Sequence, residues 1–104
     1  MNTTNIFKIF RPELTDYTLR QYNKELAIMR DNFGETDEYD LLFNIIDVSK
    51  DELKLDYLFT GTEKKYQKNV RLAIFRNLMD IFKNEIDDKT YELMDLLILE
   101  ERFK

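Results

Sequence analysis

Apolar residues recur along most of this chain at alternating spacings of three and four, the period of an amphipathic helix. No segment alternates with period two beside an Asn-Gly or Asp-Gly turn, so hairpins are not expected. The clearest stripe is Leu19, Tyr22, Leu26, Met29 and Phe33. Pro12 suits a first helical turn and Gly34 a left-handed stop, which predicts a helix over about 12–33. Thr36 followed by Asp37, Glu38 and Asp40 reads as a cap and an acidic first turn, opening a helix over about 37–47. Ser49 with Glu52 has the spacing of a capping box, which predicts a further helix over about 50–60, ended by Gly61.

From Thr62 onward the pattern doubles. Tyr66, Val70, Ile74 and Leu78 lie along one face, and Leu72, Phe75, Met79, Phe82 and Ile86 along another. A helix over about 63–86 is therefore expected to be the central strut, buried on two sides. Asp87 or Asp88 caps a last helix over about 89–103, whose many apolar residues leave only a thin polar face. Residues 1–11 remain as a short N-terminal arm, with Asn5 to Phe10 the one candidate for extended chain. The expected fold is all-α, with four to five helices in an irregular antiparallel bundle that forms a single domain over 1–104.

Composition narrows the chemistry. The chain has no His and no Cys, a single Ser (Ser49), and fourteen Phe and Tyr. Without imidazole or thiol it cannot build a Ser/His or Cys/His nucleophile or a His-ligated metal site. No catalytic, cofactor or metal residue is assigned, and the expectation is a non-enzyme. The absence of cysteine excludes disulfides and is compatible with a reducing compartment, here taken as cytoplasmic. Met1 to Phe10 has no apolar run of secretory length, so no signal peptide is expected. Leu96 to Leu99 is the longest apolar run, far short of the roughly 20 residues that cross a bilayer, so no membrane partner is expected. Few Ala against many Asn, Ile, Lys, Tyr and Phe is what AT-rich coding gives. It suggests a low-GC bacterium or its phages and mobile elements.

Charge is segregated within a formal total of −5. Residues 35–61 carry eight acids against Lys50 and Lys54, whereas residues 62–76 carry five bases against Glu63. The acidic stretch, with Asp37, Glu38 and Asp40 foremost, is a candidate face for a basic partner, where charge speeds association and sets register. In the basic stretch Lys64, Lys68 and Arg71 share one helical face beside Tyr66. A cationic first turn opposes the helix dipole, which leaves phosphate binding or ion pairing as its reason. These three are the nucleic-acid candidates, although the net negative charge makes the footprint small.

Two local likenesses add little. Asp47-Val48-Ser49, followed by Leu55 to Glu63, resembles the closing segment of phage-repressor-type helix-turn-helix domains. It covers under twenty residues, five residues separate Ser49 from Leu55 where that family has none, and its recognition helix has no match here. No DNA-reading residue is carried over. Glu35 with Glu38, and Glu92 with Asp95, fit the Glu-x-x-Glu and Glu-x-x-Asp spacings by which all-helical nucleotide pyrophosphohydrolases hold magnesium. The two pairs lie farther apart than in that family, and Glu35 falls outside the expected helix.

The favoured function is a small acidic protein-binding module, an inhibitor or accessory factor from a phage or mobile element, which occupies a surface of a larger protein. A nucleic-acid-binding role through the 63–86 helix is the alternative, and a magnesium-dependent pyrophosphohydrolase the remote one. Five helices offer little interior for the arm residues Phe7 and Phe10 and for Leu96, Leu99 and Phe103. These five are the apolar interface candidates, in contact with a protein partner or in a homodimer.

Overall fold

The computed structural model describes residues 4–34 and 37–104. They form five α-helices, α1 (Thr4–Phe10), α2 (Asp16–Phe33), α3 (Glu38–Glu52), α4 (Lys65–Ile81) and α5 (Asp88–Arg102), with 3-10 turns at Asp56–Phe59 and Lys83–Glu85. No strand occurs among the described residues. The all-α class follows from the periodicity, and α4 is the central strut, packed against α2, α3 and α5. Leu72, Ile74, Phe75, Leu78 and Met79 bury both of its sides. One contiguous core runs from Phe7 through Leu26, Leu41 and Phe75 to Ile98. The radius of gyration, 12.9 Å, is the roughly 13 Å of a compact domain of this length.

The boundaries depart from expectation where a side chain finds a distant partner. The supposed extended arm is helix α1. A helix of 7 residues is unstable alone, and it is held here by Phe7, which is 0% exposed and meets the Tyr22 ring edge-on at 5.3 Å. Pro12 does not open α2. It lies in the turn between α1 and α2, and α2 begins after Thr15, whose Oγ1 accepts from the Thr18 N–H at 3.1 Å. Thr15 offers the side-chain acceptor that a helix start needs and Pro12 does not. Gly34 closes α2 as expected, with φ 72° and its N–H donating to the Arg30 carbonyl. The expected cap Thr36 lies outside the described residues. Asp37 caps α3, accepting from the Asp40 N–H at 2.8 Å.

The predicted break at Ser49 is absent. α3 runs through it because Leu42, Ile45, Ile46 and Ser49 all point into the core, and continuous burial outweighs the local cap. The helix ends instead at Leu53, which takes the left-handed conformation at φ 57° and donates to the Ser49 carbonyl. Leu55, Leu58 and Phe59 then return the chain to the core, where Phe33 and Tyr57 stack at 4.5 Å. Gly61, at φ 83°, turns the chain into α4. α4 stops at Ile81 rather than near 86, and Ile86 reaches the core from the residue after the second 3-10 turn.

Ser49 Oγ is buried and makes no hydrogen bond among the described residues. A buried hydroxyl without a partner is destabilising, and alanine is the better helix former. Ser49→Ala is therefore expected to raise stability by about 0.5 to 1 kcal/mol, read from the midpoint of urea unfolding at unchanged slope. A loss of stability would show that the hydroxyl is satisfied.

Candidate interaction surfaces

Three surfaces predicted from sequence take definite form, and two of them shrink. On α4, Arg71 is 1% exposed and points inward. Its Nε donates to Glu25 Oε1 at 3.0 Å, and its Nη1 donates to the carbonyls of Leu58 and Thr60 at 3.2 and 2.8 Å. Gln67 Nε2 supports the other oxygen of Glu25 at 3.2 Å. Nε and Nη1 of Arg71 are thus held by the protein itself and the side chain is buried, which corrects its assignment as a nucleic-acid contact. Lys68 lies half-buried with Nζ 5.5 Å from the centre of the Phe59 ring, a cation–π contact. Lys64 is exposed at the start of α4, where its N–H donates to Thr62 Oγ1 at 3.2 Å. The basic face keeps Lys64 and Lys68 and loses the residue that would have anchored it.

The acidic candidates divide in the same way. Asp37 is spent on capping α3. Glu38 is buried and faces Arg30 Nη1 at 3.5 Å, so it is not part of an open face. Asp40 is exposed. Of the carboxylate pairs with metal-binding spacing, Glu35 lies outside the described residues and Asp95 accepts from Arg76 Nη1. No group of three or more acids placed to hold a metal ion occurs among the described residues.

The third surface grows. Asp87 fixes the start of α5, its two oxygens accepting from the Thr90 N–H and hydroxyl at 2.9 and 2.8 Å. The hydrogen bond from the Thr90 N–H is the main reason that the Asp87 carboxyl is held below its ordinary value. Met94, Leu97 and Ile98 face the core. Leu96, Leu99 and Phe103, at spacings of three and four, face away from it at 63, 51 and 83% exposure. Helix geometry places them along one line, with Glu92 continuing it toward the N-terminus. Beside this line lies a shallow pocket of about 170 Å³ lined by Arg76, Asp95, Ile98, Leu99 and Arg102. The bond to Asp95 is the main reason that the Arg76 pKa is raised above its ordinary value.

At the opposite end of the chain, Phe7 is withdrawn from the interface candidates by its burial, whereas Phe10 is 55% exposed and Ile9 is exposed beside it. What decides this is the T-shaped contact of Phe7 with the Tyr22 ring, which no spacing rule reveals. No helix is long and apolar enough to cross a membrane among the described residues. No family model, curated protein or solved structure matches the chain.

Proposed function

We propose that this protein is a small, acidic, non-enzymatic binding module that acts by occupying a surface of another protein chain, with α5 as its binding face. The observation that supports the reading is the line Leu96, Leu99 and Phe103, exposed on a helix whose opposite face already supplies Met94, Leu97 and Ile98 to the core. The helix makes its core contacts without these three. Large apolar side chains gathered in one patch usually mark an interaction site, and covering each would contribute roughly 1.5 to 3 kcal/mol. An inhibitor or accessory factor works through such a face, and neither role requires the imidazole or thiol that the chain lacks.

Leu99→Asp tests this. A half-exposed residue should tolerate the change with a loss below about 1 kcal/mol, and a protein captured by the native chain should no longer be captured by the variant. Loss of cooperative unfolding, or an identical set of captured proteins, would end the reading.

A further inference from the structure

We infer that the surface covering α5 is a second copy of the same helix, docked antiparallel about a two-fold axis. The inference rests on the reading of α5 as the binding face and names its partner. Glu92, Leu96, Leu99 and Phe103 follow one another at four, three and four residues, the seam of a two-helix contact. Asp95 and Arg102, seven residues apart, flank the seam on one side, and Leu93 and Glu100 flank it on the other.

Charge decides the direction. In an antiparallel pair centred between Leu96 and Leu99, each Leu96 meets the second copy's Leu99. Each Phe103 then lies over the methylenes of the other Glu92, and each Asp95 stands opposite an Arg102. Both flanking pairs are of opposite sign. A parallel pair would set Glu92 against Glu92 and Asp95 against Glu100, all of like sign, which disfavours it. The pocket beside Leu99 suits the antiparallel arrangement. It holds Arg76 and Arg102 with the one carboxylate of Asp95, and Arg102 has no ion pair among the described residues. A carboxylate from the second copy would balance it.

The contact is isologous and closes at two, as a two-fold pair does. One helix on each side is smaller than the roughly 800 Å² per partner of a standard interface. Dimerisation in the micromolar range is the expected strength.

Sedimentation of the full chain, from low micromolar to millimolar concentration, provides the test. The native chain should pass from monomer to dimer mass. Arg102→Glu and Asp95→Arg should each weaken dimerisation by about tenfold or more, while a one-to-one mixture of the two variants should recover it, because both flanking pairs again join opposite charges. Circular dichroism establishes that each variant folds. If Asp95→Arg does not fold beside Arg76, Leu96→Cys and Leu99→Cys chains give a second readout in this cysteine-free background. Mixed and oxidised, they should form the mixed disulfide in excess of either homodisulfide.

A native chain that remains monomeric overturns the inference, as do a dimer indifferent to Arg102→Glu and an excess of homodisulfides. Monomeric behaviour together with a captured protein that Leu99→Asp releases would remove the second copy and leave α5 as the binding face. If Leu99→Asp releases nothing either, both readings fall.

Discussion

Replacing Arg71 with alanine is expected to destabilise the fold by about 3 to 5 kcal/mol, because removing one partner of a buried ion pair leaves the other charge uncompensated. Glu25 is buried with it, and Gln67 would be left donating to that carboxylate. The same change strips the Leu58 and Thr60 carbonyls of their guanidinium donor. Those carbonyls belong to the segment that carries the chain from α3 to α4, so the loss spreads from one pair to the path of the backbone. Replacing both charges, as in Glu25→Leu with Arg71→Met, should cost markedly less than the sum of the single changes. A coupling of about 1 to 3 kcal/mol is expected for groups in direct contact. Urea unfolding of the four proteins measures it. An Arg71→Ala variant within about 1 kcal/mol of the native chain would mean that water reaches the pair and that Arg71 is open to a ligand after all.

That pair also shows where the sequence stops being legible. Lys64, Lys68 and Arg71 share a helical face by spacing alone, and spacing within α4 says nothing about what packs across it. The deciding residue, Glu25, is 46 positions away. One signal was present: Glu25 sits among Tyr22, Leu26 and Met29, on the apolar face of α2, where a carboxylate persists only if it is paired. An acid on one apolar stripe and a base on another is the mark of a buried ion pair, and it would have withdrawn Arg71 from the surface. Features that depend on neighbours in sequence were readable by contrast. Gly34 closes α2 and Asp87 opens α5 because a backbone turn and a capping oxygen act within four residues. Ser49 failed as a cap for the opposite reason. Its local chemistry favoured a helix start, but Ile45 and Ile46 were already committed to the core, and apolar burial carried the helix through. The stripe on α5 was visible as excess, since three apolar residues lay beyond what one core-facing surface could use. Periodicity alone did not say which stripe would face outward.

Phe7→Ala is expected to cost about 3 kcal/mol, at the low end of the range for removing a buried phenylalanine. The ring is fully enclosed, and its edge-to-face contact with Tyr22 adds roughly 0.5 to 1.5 kcal/mol to its burial. Tyr22 in turn accepts from Asn77 Nδ2 at 3.2 Å, and Arg11 donates to Asn77 Oδ1 at 2.5 Å, so the ring, the residue that follows α1 and the C-terminal half of α4 form one assembly. The cost stays near 3 kcal/mol because α1 is a short terminal helix. It can peel away rather than leave the whole cavity standing, and it has too few turns to remain helical once released. Phe10→Ala should instead change stability by no more than about 0.5 kcal/mol, as exposed positions do. Limited proteolysis separates the two further. Tryptic cleavage after Lys8 should accelerate in Phe7→Ala and be unchanged in Phe10→Ala, because a protease needs the segment undocked. If Phe10→Ala proves the more damaging, α1 is anchored by the other face of the helix, and Phe7 returns to the candidates for a partner's surface.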